Sequence, residues 1–234
     1  MKRRVLIATP AFGGLLTDHY VQSLLETQKR LLAEKIQFAV LILSNESLIG
    51  RGRNKCAQIA IQGNYTDLFF IDADIGWKVD DFMKILMSTQ HIVGGTYPMK
   101  MMPVNLNYNL LPEDRPMWQN NHIKSVENMK KLIEYKGTEE FQVQHLPTGF
   151  LRISGTVLKR LKGRVEEYQQ QNPRTGQIEI FWNLFPTPVK YKNLMSEDWA
   201  FCEICRDNKI PVFLNGSVIC NHVGSYNYGE SIQR

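Results

Sequence analysis

The chain has 234 residues, 43% of them hydrophobic and 22% charged, which is enough for one sizeable core and too ordinary a balance for a disordered or fibrous protein. With 28 Lys and Arg against 23 Asp and Glu, the formal charge of +5 favours anionic ligands but does not choose among nucleotides, nucleic acid and lipid headgroups. There is no repeat period, and no window is long enough to span a bilayer.

The basic start, MKRR, leads into only five apolar or small residues before Pro10, too few for a signal peptide. The expectation is a soluble, cytoplasmic chain in a reducing compartment. Its four cysteines fit that setting. Cys202 and Cys205 form a C-x-x-C, but they lie inside a helical pattern and no second C-x-x-C follows, so they read as buried helix residues rather than a zinc or redox pair.

Residues 5–8 form a short apolar run stopped by Thr9-Pro10, as a buried strand ending in a loop should be. Thr17 or Asp18 then caps a helix whose apolar positions, Val21, Leu24, Leu25, Leu31 and Leu32, recur at helical spacing. A second strand over 38–43 closes at Ser44-Asn45. A helix over 51–62 carries Cys56, Ile59 and Ala60 on one side, and the sequence LFFID (68–72) is the third strand. Strand, helix, strand, helix, strand points to a mostly parallel sheet covered by helices.

Asp80 and Asp81 open a helix to residue 87, and 91–98 is a strand bending at its glycines. The pattern dissolves over 100–121 into a long polar loop, a length usually reserved for functional segments. A charged helix (126–135), a strand (141–146) leading into Pro147-Thr148-Gly149, and a helix (155–161) follow. A hydrophilic stretch (166–177) precedes an apolar one (178–185). Ser196-Glu197-Asp198 starts a last helix through 206, before two late strands (212–214 and 218–220) and Asn221-His222-Val223-Gly224. No linker interrupts this order, so residues 1–234 are expected to form one α/β domain.

Asp72 and Asp74 pose the main question, because a strand as apolar as LFFI ends in two carboxylates. Residues i and i+2 of an extended segment point the same way, so the two acids can converge on one target. Hard oxygen ligands suit Mg²⁺ or Mn²⁺, which would also hold a diphosphate. The plainer alternative is a pair of solvated acids before a turn. Gly50-Arg51-Gly52-Arg53-Asn54 enters a helix start that favours anions, where Arg51 and Arg53 could reach a base, ribose or phosphate. Glu197-Asp198 sits at another helix start, where acids are comfortable anyway and Ser196 is a competent cap. His222 follows an apolar strand and could donate nitrogen to the same metal, although a lone His is more often structural.

With these pieces in order, the chain resembles the nucleotide-sugar-dependent glycosyltransferases of the GT-A fold, small examples of which occur in large viruses and phages. The resemblance rests on VLIATPAF, the Arg53-Asn54 helix start, FFIDAD, Thr148-Gly149-Phe150, Glu197-Asp198 and His222-Val223-Gly224. It implies a GT-A-like, mostly parallel mixed sheet flanked by helices, with Mn²⁺ or Mg²⁺ as cofactor and a UDP-sugar or related nucleotide sugar as donor. It further implies that Thr9, Pro10 and Ala11 cradle the base and that Arg53 approaches the nucleotide or donor sugar. Asp72 would meet the ribose or the metal's water shell, Asp74 and His222 would ligate the metal, and Thr148 and Gly149 would line the sugar and acceptor pocket. Asp198, or Glu197, would meet the acceptor or donor hydroxyls, with inversion slightly favoured over retention. The acceptor would be a hydroxyl on a glycan, a glycoprotein or a small molecule, with the 100–121 and 166–177 segments shaping its site.

Two other readings remain open from sequence. A haloacid-dehalogenase-like phosphatase would use Asp72 as nucleophile and Asp74 as acid/base, but Ile75-Gly76-Trp77 and the two preceding strand-helix units do not suit it. A basic nucleic-acid binder would need more than scattered Lys and Arg, and no partner motif accompanies them.

Overall fold

The computed structural model describes residues 2–101, 104–115, 124–172, 175–190 and 192–224. In chain order its elements are β1 (Arg4–Ala11), a 3₁₀ turn (Phe12–Gly14), α1 (Asp18–Ala33), β2 (Gln37–Ser44), α2 (Ile49–Gln62), β3 (Asp67–Ile71), β4 (Ile75–Gly76) and α3 (Val79–Met87). β5 (Ile92–Thr96), α4 (Val126–Lys136), β6 (Glu140–Val143), β7 (Phe150–Ser154), α5 (Gly155–Leu161), β8 (Glu167–Gln171) and β9 (Ile178–Trp182) follow. The chain continues through β10 (Val189–Lys190), β11 (Asn193–Leu194), α6 (Glu197–Asp207), β12 (Val212–Ile219) and β13 (Asn221–His222).

Seven strands form one mixed sheet in the order β2-β1-β3-β7-β5-β12-β6. β1 pairs in parallel with β2 and β3, and β5 with β12, while β7 and β6 run against their neighbours. Apolar strands buried on both faces are what such a sheet needs. Every residue of β3 is buried. Leu68 and Phe70 join the core under α2, α4, α5 and α6, whereas Phe69 and Ile71 join the core under α1 and α3. The result is an α/β fold with a mainly parallel sheet flanked by helices.

Several elements depart from the sequence expectation. β1 runs through Thr9-Pro10 to Ala11: its pairing with β3 stops at Ala8↔Phe70, while that with β2 continues to Ala11↔Ser44. With a single neighbour there, a residue lacking an N–H is tolerated. The buried side of α1 is Tyr20, Ser23, Leu24, Thr27 and Leu31, while Val21, Leu25 and Leu32 are exposed. Tyr20 and Thr27 carry that face because their hydroxyls find partners in Thr9 and the Trp77 indole.

The residues after Gly149 form β7, a central strand inserted antiparallel between β3 and β5. The hydrophilic stretch and the apolar one after it pair as the β8–β9 hairpin, whose exposed positions are Glu167, Gln169 and Gln171 on β8 and Ile178 and Ile180 on β9. The two late strands are one, β12, with an irregular register between Leu214 and Ile219 against β5. Within the expected 100–121 loop, the described residues make isolated bridges, Pro98↔Leu106 and Asn109↔His145, and bury Leu106 and Tyr108. Residues 102–103 and 116–121 of that segment, and 173–174 of the hydrophilic one, lie outside the described residues. All four cysteines are buried free thiols, and burial pushes Cys56 and Cys202 up to about 12, as inert core residues should be.

Candidate active site

The carboxyl ends of β1 and β3 open on one side of the sheet, the edge where ligands of open α/β folds bind. The turn after β3 is pinned from three directions. Asp72 N donates to the Gly149 carbonyl (3.0 Å), Thr17 N to the Ala73 carbonyl (3.0 Å), and Val223 N to the Asp74 carbonyl (2.8 Å). The first residues of α1, the approach to β7 and the end of β13 therefore all meet at Asp72-Ala73-Asp74. β4 pairs antiparallel with β13, with His222 opposite Ile75, and this register carries the imidazole to Asp74.

The two aspartates face different partners. Asp72 accepts from Arg53 Nη2 at 2.9 Å (Oδ1) and 3.3 Å (Oδ2). Arg53 is almost wholly buried; its Nε donates to Glu197 Oε1 at 3.2 Å, and its guanidinium lies over the Phe70 ring. Burial opposes the charge on Arg53, but Asp72 and Glu197 outweigh it and raise its pKa. Arg53 Nη1 is buried without a hydrogen-bond partner in the protein.

Asp74 Oδ2 meets Lys100 Nζ and lies 3.6 Å from His222 Nε2. Burial pushes this carboxyl upward, yet His222 and Lys100 prevail and hold it down at about 2. His222 Nδ1 lies 2.7 Å from the Pro98 carbonyl, and a carbonyl only accepts, so Nδ1 carries the proton. In the neutral ring Nε2 then presents its lone pair toward Asp74, the arrangement that backbone carbonyls impose on metal-binding histidines.

This pair fits a divalent cation. One carboxylate oxygen and one imidazole nitrogen are close enough to share an ion, and Lys100 already places positive charge at the same oxygen. Among the described residues no three His, Cys, Asp or Glu side chains form a metal-binding group, and Asp72 is paired with Arg53.

The other sequence candidates fall around this centre. Thr9 is fully buried and its hydroxyl is 2.5 Å from Tyr20 OH, so it supports β1 rather than facing a ligand. Ala11 is buried as well, while Pro10 lines a cavity of about 390 Å³ with Phe12, Leu15, Ile49, Asp72 and Asp74. Thr148 and Gly149 are buried beside Asp72. A side chain on Gly149 would come within 2.4 Å of Tyr97 Oη and 2.7 Å of Asp72 Oδ2, so the close approach requires glycine. Glu197 is held behind Arg53.

Asp198 accepts from Trp199 N (2.8 Å) and from Ser196 Oγ, which is thereby diverted from the side-chain capping bond expected of it. Burial raises the Asp198 pKa, Ser196 opposes this, and neighbouring Glu197 adds to the rise. Tyr97 is pushed well above the ordinary phenol range, first by burial and then by the charge of Asp72, with Asp198 contributing from the same side. Tyr97 also packs edge-on to His222. Lys100 and Tyr97 went unnoticed in the sequence. The one available signal was their position at the carboxyl end of a strand, just before and after Pro98.

No protein-family model and no curated protein matches the sequence. Among solved structures, the chain is similar to A197 from STIV at a TM-score of 0.56 and 16% identity, over 94% of this chain and 86% of that one. That likeness shows a shared fold. Weaker likenesses connect it to GalNAc-T7 solved with UDP, GalNAc and Mn²⁺ (TM-score 0.48, 8% identity, 96% of this chain and 44% of that one) and to the inositol-1-phosphate CTP transferase from T. maritima (0.39, 12%, 92% and 85%). At these values they carry no argument about the chain. No helix among the described residues is long and apolar enough to cross a membrane.

Proposed function

We propose that this chain is a metal-dependent glycosyltransferase that moves a sugar from a nucleoside-diphosphate sugar, in the first instance a UDP-sugar, to a hydroxyl acceptor. The observation that carries the reading is the meeting of Asp74 Oδ2 and His222 Nε2, beside the Arg53–Asp72 pair, where Asp72 and Asp74 line a cavity at the strand ends. A phosphatase using Asp72 as nucleophile is disfavoured by the same geometry, since both of its oxygens accept from Arg53.

In this reading Asp74 and His222 hold Mn²⁺ or Mg²⁺, with Asp72 serving the ribose or the ion's water shell. The cation supplies Lewis-acid neutralisation of the charge that develops on the departing diphosphate. Pro10 and its cavity neighbours take the nucleoside. Lys100, paired with Asp74 in this structure, would be free to meet a phosphate oxygen if a cation took its place there. Arg53 fixes Asp72, and Glu197 fixes Arg53, so Glu197 is a positioning residue.

Asp198 is the base: burial raises its pKa, which strengthens the carboxylate as a proton acceptor. The acceptor oxygen attacks the anomeric carbon and the bond from that carbon to the diphosphate oxygen breaks. The electron pair leaves with the nucleoside diphosphate, and the acceptor proton passes to Asp198. A base in this role goes with inversion of configuration.

The experiment is calorimetric titration of UDP into the protein, with Mn²⁺ and then with EDTA. Metal-dependent binding that disappears in Asp74→Ala is expected. Absence of UDP and GDP binding under both conditions overturns the reading.

A further inference from the structure

A second cleft, of about 660 Å³, lies between the start of α2 and the β8–β9 hairpin. It shares Ile49 with the smaller cavity beside Asp72 and Asp74, so the two hollows adjoin across the first turn of α2. That turn is in close contact with the catalytic side of α6. A side chain added at Gly50 would come within 2.3 Å of the Phe185 carbonyl and 3.6 Å of Glu197 Cβ. Glu197, the neighbour of Asp198 in the chain, therefore lies against the Gly50 side of the cleft. We propose that this cleft is the acceptor site and that it takes a neutral saccharide. The proposal rests on the glycosyltransferase reading above and adds to it the class of the second substrate.

The lining argues for this class. Arg51 is the cleft's one cation among the described residues, and Glu46 holds it by a two-pronged bond, Nε to Oε2 and Nη2 to Oε1, both 2.7 Å. Glu166 adds a carboxylate. In spite of the chain's +5 charge, nothing among the described lining residues is left over to neutralise a phosphorylated or otherwise anionic acceptor. A pyranose, in contrast, presents apolar C–H faces and a rim of hydroxyls.

Tyr168, Pro186 and Pro188 supply flat apolar surface, and Asn183, Glu166 and Thr187 supply hydrogen-bonding groups. The Tyr168 ring is a fixed platform. It stacks on Phe181 (centroids 5.5 Å apart, 19° between planes), and its hydroxyl accepts from Asn54 Nδ2 at 3.3 Å. Asn54 is itself buried and locked, its Oδ1 accepting from Phe185 N at 2.9 Å. The volume lies within the range of about 300–1,000 Å³ usual for small-ligand sites. A donor sugar held at Asp74 would then meet an acceptor hydroxyl arriving over Gly50, on the Asp198 side.

The test is saturation-transfer NMR on the full chain with Mn²⁺ and UDP, using methyl β-galactoside, methyl α-mannoside, lactose, cellobiose and maltose as probes. UDP is titrated calorimetrically into the same samples. Two variants probe the cleft: Tyr168→Ala removes the platform, and Thr187→Trp fills the space from an exposed position that the fold does not depend on. Saturation transfer to at least one saccharide, weakened tenfold or more in both variants while the UDP Kd stays within twofold, is the expected result. UDP binding with no saccharide bound, or with saccharide bound equally by both variants, overturns the acceptor assignment and leaves the donor reading standing. Failure of both UDP and GDP to bind removes the glycosyltransferase reading and the acceptor site with it.

Discussion

Arg53 and Asp72, 19 residues apart, form an ion pair in which the guanidinium is 3% exposed and the carboxylate 27%. Glu197 closes on the same guanidinium from α6. One arginine thereby ties the second helix to the end of the third strand and to the last helix, and the two carboxylates offset the cost of burying its charge. Replacing it by Met leaves Asp72 and Glu197 without a partner. Removing one member of a buried pair typically costs about 3–5 kcal/mol, and the partial exposure of Asp72 trims that to about 3 kcal/mol. Urea unfolding of Arg53→Met should show this loss. Arg53→Lys should recover little of it, since an ammonium cannot reproduce the fork to Asp72 and Glu197.

Gly149→Ala introduces a methyl group into a space already filled by Tyr97 Oη and Asp72 Oδ2. Overpacking of this kind costs about 1–3 kcal/mol. Because the displaced atom belongs to Asp72, UDP affinity should fall by more than the drop in melting temperature implies. Parallel calorimetry and thermal melts on one preparation separate the two effects.

Lys100→Met removes the ammonium that shares Asp74 Oδ2 with the expected cation. Both side chains are about a third exposed, so the competition is screened, and a gain in Mn²⁺ affinity of roughly two- to fivefold is expected in the absence of nucleotide. With UDP present the sign should reverse, because the phosphate loses a positive partner. His222→Ala should weaken Mn²⁺ and UDP binding together. An unchanged Mn²⁺ titration in that variant would return His222 to a structural role.

Asp198 has a pKa raised chiefly by burial, and as a base it works only when ionised. Activity should therefore fall on acidification with an apparent pKa above the ordinary aspartate value of about 3.9. The same shift has a consequence for stability. A carboxyl whose folded pKa is raised binds its proton more tightly folded than unfolded, so it disfavours folding once pH passes above the unfolded value. Asp198→Asn should abolish transfer, yet raise the urea midpoint near pH 7 and leave it little changed below about pH 3. A lower midpoint at pH 7 would show that Ser196 and Trp199 N stabilise the charged form more than burial penalises it.

Much of this architecture is written locally. Two-sided burial of Leu68, Phe69, Phe70 and Ile71 follows from an unbroken apolar run, and charges at Asp72 and Asp74 can only stand at its end. The alternation of strands and helices through α3, and the acids opening α6, were legible for the same reason: hydrophobic period and capping chemistry act within a few residues. Where local signals mislead, a partner far along the chain decides. Pro10 stops a strand in isolation, but the single neighbour of β1 at that point lets it continue. Val21 and Leu25 are as apolar as Leu24, yet Tyr20 takes the buried face of α1 because Thr9 is there to receive its hydroxyl.

The sequence by itself determined that this chain buries an α/β core and ends its third strand in a pair of acids. Tertiary structure alone decided what each acid meets. β7 enters the sheet against the run of its neighbours, and the β4–β13 register sets His222 beside Asp74 while Arg53 claims Asp72. Those contacts span 19 to 148 residues (74 to 222), and their direction is fixed by strand pairing and by the cost of leaving a buried charge alone, neither of which has a local period to read.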